Sequence, residues 1–156
     1  MFSNKVNRML SLTKCKVLNE SEVMQTYGNN IGSSIPINHM LITDNTIIFI
    51  QSKLVNDDIN PIKINNLLQS INTISSTFYL PLNIFAVYLS KQPITGSSRL
   101  ELKSFNQTNN IQFKSFCNIN EEIILNKLMS FLYTNKIFMY SEDGDAIMYD
   151  NTINHY

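Results

Sequence analysis

Three polar side chains in the middle of the chain have the spacing of a site that acts on a phosphodiester. Gln51 and Lys53 form a Gln-x-Lys triplet, and Asn38 precedes the triplet by thirteen positions. Such chemistry needs oxygen ligands for a divalent ion that activates water, and a lysine that orients the water and offsets developing charge. Alternate residues of a strand share a face, so a strand would project Gln51 and Lys53 into one site.

The elements that must position these residues are two β-rich runs, 37–43 and 46–55, separated by the turn-forming pair Asp44-Asn45. This pattern predicts a β-hairpin. Because the two strands of a hairpin run antiparallel, the beginning of the first lies beside the end of the second. We therefore expect Asn38 opposite the Gln51–Lys53 triplet.

Hydrophobic periodicity and capping residues predict the remaining elements. The predicted helices are Asn4–Leu12, Ser21–Tyr27 with Ser21 as N-cap and Gly28 as stop, 61–77, and one that follows Asn118 or Asn120; a loop is predicted at 29–34, strands at 82–90, 98–105 and 111–117, and a last hairpin from Lys136 across 142–145. This order is typical of a mixed sheet with helices packed on it.

The length predicts a single domain, 1–156, and the net charge gives no indication of a polyanionic partner such as a nucleic acid. Twelve basic and twelve acidic residues cancel, so nucleic-acid binding would depend on a local patch. The N-terminal segment supplies four basic side chains before the first acid, and a solvated helix face is the favoured explanation of them; they are Lys5, Arg8, Lys14 and Lys16.

The two cysteines, Cys15 and Cys117, are far apart in sequence, which indicates reduced thiols in an intracellular protein rather than a disulfide framework. No run approaches the roughly 20 apolar residues that span a bilayer, so we expect a soluble protein of the cytoplasm or nucleus without a membrane partner. Nucleotide-cradling glycine loops, nucleophile elbows and HExxH zinc motifs are absent from the sequence. The acidic stretch 142–145 lacks EF-hand spacing and indicates a turn.

Pro36-Ile37-Asn38, followed by the run Ile48 to Lys53, resembles the signature of the PD-(D/E)xK nuclease superfamily. The form with glutamine in place of the acid is similar to the methylation-dependent restriction endonuclease and Holliday-junction resolvase-like branches. The resemblance covers about 20–105 and extends through the apolar strand 82–89. It implies an α/β fold, with a restriction-endonuclease-like mixed β-sheet flanked by α-helices.

The chain departs from the family pattern at the metal-binding positions. Asn38 stands where the family has an aspartate, and Gln51 is also neutral. Hard divalent cations favour anionic oxygen, so the site would need an acid from another element. Glu20 or Glu22, just ahead of the hairpin, could supply it, as a helix acid does in related nucleases.

The resemblance implies five site positions: Asn38, Gln51, Lys53, Glu22 and Gln69, the last of which falls where some relatives carry a helix glutamine. Asn38, Gln51 and Glu22 would hold Mg²⁺ or Mn²⁺ if the site is active, and a silent site would need no cofactor. The alternative reading makes Asn38 a polar strand-entry residue and leaves Gln51 and Lys53 facing solvent. His39 points to the opposite face from Asn38 and is expected to be structural.

Two functions therefore stay open. The first is a nuclease-like protein, a degenerate or inactive metal-dependent endonuclease fold that acts on or binds DNA; in an active form it would be a Mg²⁺- or Mn²⁺-dependent endodeoxyribonuclease. The second is a non-catalytic accessory protein, of a viral or mobile-element kind, that uses the same fold for protein interaction. Many nucleases of this class pair to cut both strands, which makes a homodimer one expectation.

Overall fold

A five-stranded mixed sheet with strand order β1-β2-β3-β4-β5 forms the centre of the computed structural model. The structure describes residues 2–31, 35–54, 61–78, 83–100, 102, 111–137, 139–140 and 146–147. The strands are β1 (Lys16–Asn19), β2 (His39–Ile42), β3 (Thr46–Lys53), β4 (Asn83–Ser90) and β5 (Ile111–Cys117), and a separate pair is formed by β6 (Met139–Tyr140) and β7 (Ala146–Ile147). The helices are α1 (Phe2–Ser11), α2 (Glu20–Ile31), α3 (Pro61–Ser75), α4 (96–100) and α5 (Glu121–Thr134).

The sheet is antiparallel on one side and parallel on the other. β1, β2 and β3 run antiparallel in sequence order, whereas β3, β4 and β5 are parallel neighbours. Parallel neighbours need a crossover connection, and α3 supplies it between β3 and β4. The carboxyl ends of the three parallel strands therefore lie at one edge of the sheet, which is where open α/β sheets bind ligands.

Two apolar layers cover the sheet, one on each face. Met40, Phe49 and Tyr88 point toward α2 and α3, while Leu41, Ile48 and Val87 point toward α1 and α5. Because β3 and β4 lie in the middle and are covered on both faces, their sequences are nearly unbroken apolar runs. The mixed α/β architecture predicted from the sequence is confirmed at this level.

Several predicted elements are confirmed by the structure: the first helix, the β2–β3 hairpin with its Asp44-Asn45 turn, α3, β4, β5, the last helix and the final hairpin. β3 ends at Lys53, α3 ends at Ser75 and β4 begins at Asn83, and residues 55 and 82 lie outside the described residues. Asn120 caps α5, because its side chain accepts a hydrogen bond from the backbone N–H of Glu122 at 2.9 Å. The turn at 141–145 and the turn-rich stretch 106–110 lie outside the described residues.

The predicted strand at 98–105 is wrong, because 96–100 are helical. Ser98 and Leu102, four positions apart, are buried, whereas Leu100 between them is 70% exposed. A strand would put all three on one face, and a helix separates them. The apolar residues of this segment therefore follow a helical period, which matches strand alternation over so few residues.

The second helix begins earlier and ends later than predicted, and the strand before it was missed. α2 starts at Glu20, so Ser21 lies inside the helix and is not its cap, and Gly28 does not stop it. β1 has four residues and no alternation to indicate a strand. Part of the predicted 29–34 loop is helical, and 32–34 lie outside the described residues. Among the described residues, no helix is long and apolar enough to cross a membrane.

Candidate functional site

Asn38 lies just before β2 and continues its pairing with β3. Its backbone N–H donates to the Ile50 carbonyl at 2.9 Å, and its side-chain Oδ1 accepts from the Ser52 backbone N–H at 2.7 Å. The Asn38 side-chain oxygen thus accepts the hydrogen bond that a backbone carbonyl would accept if the β2–β3 pairing continued past His39. The prediction that Asn38 lies opposite the end of β3 is confirmed.

Glu20 is the acid that the fold brings to Asn38. Asn19 pairs with His39 across β1 and β2, so the next residue of the chain, Glu20, lies near the residue before β2. The Asn38 Nδ2 group donates to Glu20 Oε2 at 3.4 Å. The Asn38 side-chain oxygen therefore accepts a hydrogen bond from the backbone of β3, and its side-chain nitrogen donates one to the Glu20 carboxylate.

Glu22 has a different partner. Its carboxylate accepts from the Asn19 backbone N–H at 3.1 Å, while the Asn19 side chain accepts from the Glu22 N–H at 3.0 Å. This reciprocal pair is a capping box, with asparagine as the capping residue at the start of α2. The structure thus gives Glu22 a role in starting the helix, and its carboxylate oxygen is already engaged there.

Gln51 projects from β3 toward the α2–α3 side, and Lys53, two residues on, shares that face by strand alternation. Gln51 pairs with Tyr88 on β4, whose ring belongs to the same apolar layer. The Gln51 Oε1 atom and the Tyr88 hydroxyl are buried, and neither has a hydrogen-bond partner among the described residues. Burial raises the pKa of Tyr88 to about 12, so the phenol stays protonated and is a donor.

Ser52 points to the other side of β3, toward α1 and α5. There it lines a cleft of about 310 Å³ together with Asn38, Lys91 and Glu121. The Ser52 hydroxyl is buried with no hydrogen-bond partner among the described residues. Ser52 and Lys91 were not singled out from the sequence, because their convergence depends on the parallel pairing of β3 with β4.

We call the open end of the β2–β3 hairpin, with Asn38, Gln51, Lys53 and the neighbouring Glu20, the hairpin end. Gln69 and His39 do not belong to it. Gln69 is exposed on α3, so its side chain points away from the sheet. His39 is fully buried on the face opposite Met40, with neither ring nitrogen hydrogen-bonded to any described residue. Burial lowers the pKa of His39 to about 4, so the ring is neutral at pH 7. This fits the expected structural role.

The residues at the hairpin end fit a divalent cation poorly. Glu20 is the carboxylate in contact with Asn38; Asn38 turns its nitrogen toward it and its oxygen toward the Ser52 N–H. Across the described ranges, no three His, Cys, Asp or Glu side chains lie close enough to share a metal ion. What the arrangement does offer is a lysine, two amides and one carboxylate at the carboxyl end of a central strand.

The chain was compared with models of protein families, with curated proteins and with solved structures, and none of them matches it.

Proposed function

We propose that this chain is a nuclease-like domain of the restriction-endonuclease-like type, whose degenerate site binds DNA at the end of the β2–β3 hairpin. One observation carries the proposal. Gln51 and Lys53 share a face at the carboxyl end of β3, and at that same end Asn38, the residue just before β2, accepts a hydrogen bond from the Ser52 backbone N–H at 2.7 Å. This arrangement supports the proposal, because the family signature has its site residues on two adjacent strands.

Binding is favoured over efficient cutting by the hydrogen bonds of Asn38. A phosphodiesterase site needs an anionic oxygen free to hold a divalent cation. The Asn38 oxygen is neutral and already accepts a backbone N–H, so it contributes little to a cation site. Lys53 is a basic side chain at this end of β3, and one cation that contacts a phosphate is enough to strengthen DNA binding.

A second candidate, residual metal-dependent cleavage, is supported by Glu20. Its carboxylate lies 3.4 Å from the Asn38 side chain, which supports Glu20 as the acid that the site would need. Cleavage would then need Glu20 as well as Lys53.

The two candidates are separated by measuring DNA binding and cleavage on one set of variants. Fluorescence anisotropy with a labelled duplex should show weaker binding for Lys53→Met, which removes the charge and keeps most of the aliphatic stem. The slope of log K against log salt should become shallower by about 0.9, the value for one lost contact to duplex phosphate. Plasmid cleavage with Mn²⁺, abolished in Glu20→Gln and in Lys53→Met, would establish the second candidate.

Lys16→Met is the matched control. Lys16 is an exposed lysine on β1, and it pairs with Ile42 at the opposite end of the β1–β2 ladder from Asn38. Its loss should leave both the affinity and the salt slope near those of the parent. Equal effects of the Lys53 and Lys16 substitutions would show that the hairpin end is not the DNA site.

A further inference from the structure

A groove runs between β5 and α5, on the opposite face of the sheet from Gln51. We define this β5–α5 groove by three aromatic and two basic residues; the rest of its described lining is uncharged and polar, and its volume is about 510 Å³. The five residues are Phe85, Phe116, Phe131, Lys114 and Lys127. The groove lies where α5 packs beside β5, the last strand of the sheet.

The floor of the groove is aromatic. Phe131 of α5 meets Phe85 edge-on, with ring centroids 5.1 Å apart, and it meets Phe116 at 5.8 Å. Phe85 and Phe131 are buried, so they hold the floor rigid. Phe116 is only half-buried, and it therefore leaves part of its ring available to a flat ligand.

The charge of the groove has one sign among the described residues that line it. Lys114 is exposed on β5, on the same side of the strand as Phe116. Lys127 projects from α5, and its Nζ donates to the Cys117 carbonyl at 3.3 Å, which holds the ammonium at the end of the groove near the carboxyl end of β5. The chain as a whole is neutral. The described lining of the groove holds two lysines and no acid, so its charge is positive.

We propose that the β5–α5 groove binds single-stranded nucleic acid, with a base stacked on Phe116 and phosphates at Lys114 and Lys127. A base can reach an aromatic side chain only when it is unpaired, and aromatic platforms beside cations are how sequence-tolerant single-strand sites are built. An acidic peptide would satisfy the two lysines and leave the Phe116 ring without a flat partner. The groove lies across the sheet from Gln51 and Lys53, so it is a second site and does not depend on the hairpin end.

Fluorescence anisotropy with a labelled oligothymidylate of about 16 nucleotides, a length at the upper end of known single-strand sites, tests the proposal. Lys114→Gln and Lys127→Gln should each weaken binding and reduce the salt slope by about 0.7, the value for one single-strand phosphate. Phe116→Leu should weaken binding about fivefold or more and leave the salt slope unchanged, because stacking releases no counterions. Lys16→Gln, on the far edge strand, should have no effect.

Phe116→Tyr keeps the ring and the packing on Phe131, so it should bind as the parent does; this variant separates loss of stacking from a damaged fold. The hairpin variant Lys53→Met should leave oligothymidylate binding unchanged, which distinguishes the two sites. The proposal is overturned if Phe116→Leu and Phe116→Tyr behave alike, if the two groove lysines have no more effect than Lys16, or if a poly-glutamate peptide displaces the oligonucleotide at equal charge concentration.

Discussion

The Asn38→Asp substitution tests whether the hairpin end can become a cation site. The two side chains are nearly isosteric, so Oδ1 can still accept from the Ser52 N–H. The other atom changes from a donor to an anionic oxygen, which would face Glu20 Oε2 at the present 3.4 Å spacing. The substitution therefore replaces an attraction by a repulsion when no cation is present.

The size of that repulsion follows from Coulomb's law. Two unit charges at 3.4 Å repel by about 1 kcal/mol at the dielectric constant of water and by about 5 kcal/mol at an effective value of 20. Glu20 is exposed, which favours the lower value, and the lost hydrogen bond adds about 1 kcal/mol. We expect Asn38→Asp to lose about 2 kcal/mol of stability, or roughly 4–8 °C in Tm for a chain of this size.

Divalent cations should reverse this loss. A ligand that binds only the folded state at 100 times its Kd adds about 2.7 kcal/mol, so Mn²⁺ should raise the Tm of Asn38→Asp well above its metal-free value. Calorimetry should show tighter Mn²⁺ binding in Asn38→Asp than in the parent, and tighter again with Gln51→Glu added. Adding Glu20→Gln to Asn38→Asp should remove the gain.

The control for this series is Asp44→Asn, which removes an exposed acid in the hairpin turn, at the end of the hairpin far from Asn38. It should not change Mn²⁺ affinity in either background. Equal Mn²⁺ affinity in the parent, Asn38→Asp and the double variant would refute the reasoning, because it would mean that these side chains do not converge on one site.

Three further predictions concern stability, each measured by denaturant unfolding. The pKa of His39 is lowered from 6.5 to about 4, so the unfolded chain binds a proton that the folded one rejects; stability should fall by about 2 kcal/mol between pH 7 and pH 5, and His39→Leu should lack this dependence. Glu22→Ala should lose about 1 kcal/mol by opening the capping box with Asn19, whereas exposed Gln25→Ala in the same helix should be nearly neutral. Tyr88→Phe removes a buried hydroxyl without a partner among the described residues and should be neutral or stabilising by about 1 kcal/mol; a clear loss would reveal a hydrogen bond from that hydroxyl.

The hairpin, α3 and β4 could be predicted because their signals are local. A turn pair sits between two β-rich runs, a helical apolar period follows a proline, and an apolar run of strand length has no polar interruption. The elements that could not be predicted from the sequence, β1 and α4, depend on partners that are distant in the chain. β1 is defined by pairing with β2, across the whole of α2, and α4 replaces a predicted strand in the crossover that the parallel β4–β5 pair requires.

In the candidate site, too, some features follow from local sequence signals and others depend on distant parts of the chain. The position of Asn38 opposite the end of β3 follows from hairpin geometry alone. The choice between Glu20 and Glu22 does not, because it depends on the residue at which α2 begins and on the register of β1 with β2. The β5–α5 groove could not be predicted either, since Phe85, Phe116 and Phe131 come from three elements that meet only in the folded sheet.

The contacts of Asn38 also explain why an amide suits this position better than an acid in the cation-free protein. The residue accepts from the Ser52 N–H on one side and donates to Glu20 on the other, and of the amide and the carboxylate only the amide does both. A carboxylate there would need a cation between it and Glu20. Cutting DNA requires that cation, whereas holding DNA requires only positive side chains such as Lys53. Under the proposed function, the hairpin end would therefore bind DNA through its positive charge, while the hydrogen bond between Asn38 and Glu20 stands where a metal ion would bind in an active nuclease.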